Sequence, residues 1–309
     1  KKNQDYLFST YLINLKNKNL TSELIKICEQ ENYINIIILN EDKNKIFSNL
    51  NINLIKFKIE NELTLDNKKK TGKSEVIFNK SKRIAEYQVD TNYFKFYIFD
   101  KKDQPSITYK GNFNIKPFYA KLEGDLEEIN LNNFFGNNSL VTQLLKTEIL
   151  NNKNIDFNLN INANKIFKNQ SFENINLKSK IKEGLIDTDK TTFKWKNFAD
   201  FNLLESLIFV RDGELVLDGK LSINVNNYNE IYKFLLTPKN YRNEIKHIDL
   251  NFTYNFDKKI ANLRDIKIDN KINQNVNKIL SNVILKKDHL QNKIYFKNLL
   301  NDAIKSYAG

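Results

Sequence analysis

The chain has few of the residues on which disulfides, metal sites and catalytic centres depend. Its 309 residues include one cysteine, two histidines and no methionine. A single cysteine, Cys28, excludes an intrachain disulfide, and its apolar neighbours favour a buried thiol over a reactive one. Neither His247 nor His289 has a second histidine, cysteine or glutamate at a ligand spacing, so we expect no metal site.

Familiar catalytic motifs are absent as well. The sequence has no nucleophile elbow, no phosphate-binding loop and no dinucleotide-binding glycine pattern. Asp187 and Asp189 match the start of a calcium loop, but Thr192 and Phe198 occupy the positions that need glycine and glutamate. We therefore expect neither a cofactor nor an enzymatic activity, although folding could still bring carboxylates together.

Long hydrophobic runs are missing too. No stretch approaches the roughly 20 apolar residues that cross a bilayer, and no signal peptide is present. Because the chain lacks methionine and begins at Lys1, we expect it to be part of a longer protein in which a preceding segment could hold a membrane anchor.

The charge of the chain is positive but not concentrated. The formal net charge is +12, yet the basic residues are spread along the whole sequence among 37 acidic ones. An RNA-binding sheet would place aromatic residues on a basic face, whereas Phe252, Tyr254 and Phe256 share theirs with Ile248 and Leu250. We expect no nucleic-acid partner, and the net charge favours membrane surfaces or acidic lipids as a general attraction.

What the sequence does have is the period-two alternation of β-strands. After a hairpin turn at Asp212 and Gly213, one face of the segment 214–225 is apolar, and a second alternating segment covers 248–256. Between them the period changes to 3.6 over 228–236, which predicts a short amphipathic helix ending at Thr237 and Pro238. Glycine (8) and proline (3) are scarce, so asparagine and lysine mark most of the other turns.

The same patterns predict the organisation of the whole chain. We expect a helical lead segment at 1–32, an antiparallel β-meander at 33–126, a strand-rich module with inserted helices at 127–270, and C-terminal helices at 271–309, the first with apolar positions from Val276 to Ile284. Within the meander, residues 50–59 are predicted to form one strand. After the meander, two helices are predicted over 131–150, with an interruption at 136–139. The predicted class is a β-rich α+β fold, with an elongated antiparallel sheet or groove and peripheral amphipathic helices.

Several segments together carry a family resemblance. They are residues 111–115, the helix around 140–150 followed by 155–159, the strand 213–225 with its helix to Tyr232, then Thr237, Pro238, Lys239 and Arg242, the strand 245–256, and the ending at 266–270. From about Gly111 onward the chain resembles the C-terminal part of an AsmA-like protein, in the superfamily of AsmA, TamB and YhdP. The residues at 127–270 are thus similar to an AsmA-like β-groove module.

The resemblance implies a function. Such proteins have an N-terminal inner-membrane helix and a periplasmic β-groove that binds or conducts lipids towards the outer membrane, and they have no catalytic residues. It implies that this chain is periplasmic, is tethered to the inner membrane of a Gram-negative bacterium by a segment outside the sequence, and takes a phospholipid or an anionic lipid as its partner.

Three alternative functions differ in whether other parts of the protein cover the apolar strand faces. Uncovered faces favour lipid handling; a closed core favours a surface or adhesion-type β-rich structural protein. A polar cleft with clustered carboxylates would favour a third possibility, a hydrolase of envelope polymers. For the first alternative, the predicted lipid-facing residues are Leu215, Leu217, Leu221, Ile223, Val225, Ile248, Leu250, Phe252, Tyr254 and Phe256.

Overall fold

The computed structural model describes residues 23–29, 32–42, 44–52, 57–66, 70–78, 81–99, 107–115, 118–131, 135, 142, 145–146, 156–182, 185–281, 283–286 and 292–308. Strands make up most of these residues, and antiparallel pairing predominates. The β-rich α+β class predicted from the sequence is therefore confirmed. The chain divides into two compact units, Lys1–Lys116 and Pro117–Gly309.

The first unit is an antiparallel meander. Each strand pairs with the next one in sequence, as one-sided alternation with short polar connections predicts. The strands are β1 (Glu23–Glu29), β2 (Asn32–Asp42), β3 (Lys45–Ile52), β4 (Phe57–Leu65), β5 (Lys70–Phe78), β6 (Ser81–Val89), β7 (Tyr93–Phe99) and β8 (Ile107–Ile115).

The helix predicted near the start of the chain is wrong where it can be compared. Residues 23–29 form β1, and residues 1–22 lie outside the described part. The apolar positions of this short segment fit both a helix and a strand, and the isoleucine-rich β2 supplies its backbone partners, with Ile25 opposite Ile36 and Ile27 opposite Ile34. The side chain of Cys28 also lies outside the described part, so its burial stays a prediction.

The single strand predicted over 50–59 is wrong as well. Strand β3 ends at Ile52 and β4 begins at Phe57. The apolar pattern continues through 53–56, where neither glycine nor proline marks a turn. The alternation therefore predicts one strand where the structure has two antiparallel strands.

The second unit combines strands with helices, three of which the structure describes from end to end. Its strands are β9 (Phe118–Ile129), β10 (Asp156–Ile166), β11 (Asn169–Lys182), β12 (Leu185–Asp187), β13 (Thr192–Trp195), β14 (Ala199–Arg211), β15 (Glu214–Val225), β16 (His247–Asn255), β17 (Ile260–Ile268), β18 (Lys271–Ile272) and β19 (Leu285–Lys286). The helices with complete bounds are α1 (Tyr228–Leu235), α2 (Gln274–Ser281) and α3 (Lys293–Ala308).

The division between the units differs from the predicted boundary. The meander was expected to continue to residue 126, but β9 belongs to the second unit and pairs in parallel with β10. A parallel pair needs a crossover connection, and this one has helical residues at 131, 135, 142, 145 and 146. These positions agree with the helices predicted over 131–150, and the interruption predicted at 136–139 lies outside the described residues.

The C-terminal region also departs in detail from the prediction. The first predicted helix, with apolar positions from Val276 to Ile284, ends at Ser281 as α2, and β19 follows it. The second predicted helix corresponds to α3. In the described part of the chain, no helix combines the length and the apolarity needed to span a membrane.

The strand, helix and strand predicted around residues 211–269 are confirmed. Positive φ angles at Asp212 and Gly213 form the turn between β14 and β15. Asn227 caps α1 by accepting a hydrogen bond from the Glu230 amide at 3.2 Å, and Leu236 ends the helix with a φ of 61°. The chain then returns as β16, antiparallel to β15.

Gly219 lies within the alternating strand β15 and is in close contact with the neighbouring strand β14. Strand β14 has a bulge between Leu204 and Leu207, and Ser206 lies there against Gly219. A Cβ atom on residue 219 would stand 2.3 Å from Ser206 Oγ. Glycine is needed here because the neighbouring strand occupies the space of a side chain.

Candidate functional site

The predicted lipid-facing residues do lie along one face of β15 and β16. Leu217 is opposite Tyr254, Leu221 is opposite Leu250, and Ile223 is opposite Ile248. Paired residues of an antiparallel sheet share a face, so the alternation in the sequence predicted this relationship correctly. The environment, however, changes along the face.

One end of this face is part of a packed core. Leu215 has no exposed surface and belongs to a buried cluster with Leu145, against which Leu217 and Phe256 pack. The Phe135 ring stacks on Phe256 with 5.2 Å between centroids. The helical residues before β10 therefore cover this end and close it to a ligand.

An ion pair lies at the same end of the β15–β16 face. Lys146 forms an ion pair with Asp257, and Asp257 Oδ2 accepts a 2.8 Å hydrogen bond from the Leu215 amide. Burial raises the pKa of Asp257, but the bonds from Lys146 and Leu215 and the positive charges nearby outweigh it, so the pKa lies below its usual value.

The opposite end is covered by the three helices. Val225, Ile248 and Leu250 pack against a buried cluster that includes Tyr232 of α1 and Val276 of α2. Burial is the main cause that raises the pKa of Tyr232 to about 12. These predicted positions thus lie in a core and not on an open surface.

Beside and between these covered residues lies a half-buried part of the face, which we call the central strip. Its members from the predicted set are Leu221, Ile223, Phe252 and Tyr254, none of which belongs to the two clusters just described. Across β14 and β13 it continues into stacked Phe201 and Phe193, whose centroids are 4.8 Å apart. The central strip is the part of the predicted surface that packs against neither buried cluster.

The first unit presents a second apolar face that the sequence analysis did not single out. Register places Leu50, Ile59 and Val76 in one row across β3, β4 and β5, and the described residues of this unit include no helix. The face bounds a recess of about 480 Å³, here called the meander recess. It is lined by Ser48, Leu50, Ile59, Asn61, Ser74, Val76, Ala85, Tyr87, Phe94 and Phe96.

Charge is segregated to the other side of this sheet. Glu60, Glu62, Glu75 and Glu86 all lie on the face opposite the recess. There they form ion pairs with Lys58, Lys45, Lys82 and Lys73, in that order. On the recess side, the described side chains of β3 to β8 include no carboxylate.

A row of uncharged polar groups crosses the bottom of the recess. Asn61 donates to Ser48 Oγ at 3.0 Å, and its Oδ1 accepts from Ser74 at 2.7 Å and from Tyr87 at 2.5 Å. Burial raises the pKa of the Tyr87 phenol more than these hydrogen bonds lower it. The groups satisfy one another without introducing charge, so the recess stays neutral along its floor.

Two cationic residues lie on the recess face, towards its opposite ends. Arg83 is opposite Val76, and Lys70 is opposite Val89. The Arg83 charge also lowers the pKa of Tyr109, although burial dominates and raises it. A neutral, mostly apolar floor with cations towards both ends suits a ligand that has apolar chains and an anionic group.

The polar residues around His247 on β15 and β16 do not have the geometry of a serine triad. His247 Nδ1 lies 2.9 Å from Asn224 Oδ1, while Nε2 lies 3.0 Å from Asp249 and 3.4 Å from Ser222 Oγ. In a serine triad the acid and the serine would contact different ring nitrogens, whereas here both lie at Nε2. Among the described residues no group of three or more potential ligands could hold a metal ion, and His289 lies outside them.

Comparison with models of protein families, with curated proteins and with solved structures finds no match to this chain. The resemblance to AsmA-like proteins therefore stays a prediction based on the sequence pattern.

The meander recess could have been found from one signal in the sequence. Strands β3 to β7 each have one face on which apolar residues dominate, as in Leu50, Ile59, Val76 and Phe96. The alternation identifies these strands, but it does not show which of their faces meet on one side of the sheet. That question depends on strand register, which the structure supplies.

Proposed function

We propose that the protein is a non-enzymatic lipid-binding protein whose apolar sheet faces hold lipid acyl chains. The observation that carries this proposal is the carboxylate-free apolar face of the meander recess, set against an opposite face that holds the glutamates of β4, β5 and β6. A solvated sheet has no need for such separation of charge. A hydrocarbon ligand does need it.

The size and chemistry of the recess agree with such a ligand. Its volume of about 480 Å³ lies within the range of roughly 300–1,000 Å³ that is usual for small-ligand sites. Each methylene group removed from water contributes about 0.8 kcal/mol. A chain of several methylenes on Leu50, Ile59 and Val76 would therefore bind without a specific polar contact.

Arg83 and Lys70 favour an anionic lipid over a neutral or cationic one. An arginine can bind phosphate or carboxylate oxygens through two parallel hydrogen bonds. The absence of carboxylates from the described recess side chains removes the repulsion that an anionic group would otherwise meet. The preferred partner is accordingly a phospholipid or another anionic lipid.

The cellular role follows from the sequence resemblance and is part of the proposal. The protein would bind or conduct lipids between membranes in the periplasm of a Gram-negative bacterium, supporting assembly or homeostasis of the outer membrane. A segment outside this sequence would anchor it in the inner membrane. The central strip of the second unit would offer acyl chains a further apolar surface.

One observation favours the alternative, a surface or adhesion-type structural protein with a closed core. The two ends of the β15–β16 face are covered by helices and pack as ordinary cores. For the first unit, the alternative requires other residues to cover the carboxylate-free face, and the described residues of this unit include no helix that does so. Lipid handling therefore accounts for more of the molecule.

Native mass spectrometry combined with lipid extraction tests the proposal. The chain is expressed in a Gram-negative host, purified without detergent, and analysed for bound mass and for the chemical class of the extracted lipid. We expect bound phospholipid in an amount equal to or below that of the protein. Its headgroups should be enriched in anionic types relative to the host membrane. A lipid-free protein that also fails to bind added phosphatidylglycerol would contradict the proposal.

A further inference from the structure

Large apolar side chains are exposed where α1 ends and α3 begins. Leu236 is 78% exposed, Ile294 is 72% exposed and Phe234 is 39% exposed. The Trp195 indole packs edge-on against Phe234 with 5.1 Å between ring centroids. We call these residues, Trp195, Phe234, Leu236 and Ile294, the terminal patch.

Side-chain contacts hold the two helices of the terminal patch together. Asn301 of α3 donates to the Leu235 carbonyl and accepts from Thr237, both at 2.5 Å. Lys297 Nζ lies 4.1 Å from the centre of the Phe234 ring. Because Ile294 is one helical turn before Lys297, it extends the same side of α3 past Phe234. The exposed residues therefore form a fixed surface.

Leu236 is an unfavourable residue for its backbone position. Its φ of 61° is in the left-handed region, where a helix end favours glycine or asparagine. The side chain gains little packing in return, because 78% of it is exposed. A strained and exposed leucine is explained if the side chain contributes to binding.

Lysines outnumber carboxylates around the terminal patch, where Glu230 forms an ion pair with Lys233. Lys196 follows Trp195 directly, Lys239 follows the end of α1, and both are exposed. Neither of them, nor Lys297, forms an ion pair with a carboxylate of a described residue. The terminal patch thus combines exposed aliphatic groups with aromatic rings and lysines.

We propose that the terminal patch docks on the surface of a bilayer that contains anionic lipids. Tryptophan is favoured at membrane interfaces, aliphatic side chains insert among the acyl chains, and nearby lysines are attracted to anionic headgroups. A protein partner fits less well, since lysine is depleted from protein–protein interfaces. Docking on a bilayer is independent of whether the meander recess binds lipid.

The test uses Trp195, the one tryptophan in the sequence. The whole chain is titrated with vesicles of phosphatidylcholine containing phosphatidylglycerol, and with vesicles of phosphatidylcholine alone. We expect a blue shift of the emission, quenching by brominated acyl chains and co-sedimentation with the anionic vesicles, all weakened by salt. No shift and no sedimentation with anionic vesicles would overturn the proposal, as would binding that is unaffected by the variants below.

Two substitutions identify the surface. Leu236→Asp is expected to weaken vesicle binding at least tenfold, whereas Leu185→Asp, which changes another exposed leucine in the same unit, leaves it unchanged. Leu236→Gly relieves the backbone strain, so we expect a melting temperature higher by about 2 °C together with weaker binding. Equal binding by wild type and Leu236→Gly would overturn the docking role. Concentration-dependent self-association that Leu236→Asp abolishes, without vesicle binding, would show instead that the terminal patch is a protein interface.

Discussion

The ring of Tyr87 lies directly over the backbone of Gly72 on the neighbouring strand. A Cβ atom on residue 72 would stand 2.1 Å from Tyr87 Cζ and 2.3 Å from its hydroxyl oxygen. Glycine thereby allows the phenol to reach Asn61, to which it donates a hydrogen bond at 2.5 Å. The shape of the meander recess depends on this pair.

Gly72→Ala should displace the tyrosine ring and destabilise the first unit. Overpacking of this kind costs about 1–3 kcal/mol, and part of the loss is the hydrogen bond to Asn61. Urea unfolding measures the change. In a Tyr87→Ala background the same substitution at residue 72 should have little effect, and an equal effect in both backgrounds would show that the ring contact is not the cause.

Two substitutions on the β15–β16 face should have opposite outcomes. Leu215→Asp places a carboxylate at a site with no exposed surface and should prevent folding, at a cost of several kcal/mol. Phe252→Asp changes a half-buried residue of the central strip, where water can solvate the charge, and should fold with modestly reduced stability. Circular dichroism and thermal melting distinguish them. If Phe252→Asp also fails to fold, the central strip is part of a dry core.

The Lys146–Asp257 contact should make stability depend on acid pH. The pKa of Asp257 is lower in the folded protein than its ordinary value of 3.8, so the folded state binds a proton less readily than the unfolded state. Its stabilisation is therefore present above pH 3.8 and decreases as the pH falls below that value.

Asp257→Asn tests this dependence. It should lower the free energy of unfolding at pH 7 by about 1–2 kcal/mol, because a charge-assisted hydrogen bond is lost. The difference from wild type should shrink as the pH approaches 3, measured by urea unfolding at each pH. A difference that stays constant with pH would rule out the ionised carboxylate as its source.

The parts of the fold that sequence predicted best are those with one buried sheet face. In β15 and β16, apolar residues every second position follow from burial of one side only, and the change of period between them marks α1. The same rule failed for β1, because seven residues do not distinguish a helix from a strand when the partner strand lies outside the segment.

The candidate site was less accessible to sequence reasoning than the fold. Alternation places Leu215 and Phe252 on one face, but it does not show that Leu215 belongs to a buried cluster with Leu145 whereas Phe252 stays half-buried. Likewise, the contact of Gly72 with Tyr87 joins positions whose pairing depends on the register of a hairpin. The face of a strand on which a residue lies can be predicted from the local pattern. The elements that pack over that face, and the contacts between strands, depend on tertiary structure.

The central claim is that the carboxylate-free face of the first unit holds lipid acyl chains. A matched pair of substitutions tests it on adjacent strands. Ile59 lies between Leu50 and Val76 on the recess face, and Ile77 lies between Lys58 and Lys82 on the opposite face. Both isoleucines are half-buried, so Ile59→Asp and Ile77→Asp make the same chemical change on the two sides of one sheet.

The decisive measurement is the amount of lipid that co-purifies with each variant, determined by native mass spectrometry and lipid extraction from protein whose folding has been confirmed by circular dichroism. We expect Ile59→Asp to retain at most about a tenth of the lipid bound by the wild type, since a carboxylate in the meander recess disfavours both acyl chains and anionic groups. Ile77→Asp, placed between two lysines, should retain the wild-type amount. Equal lipid content in the two variants would contradict the account.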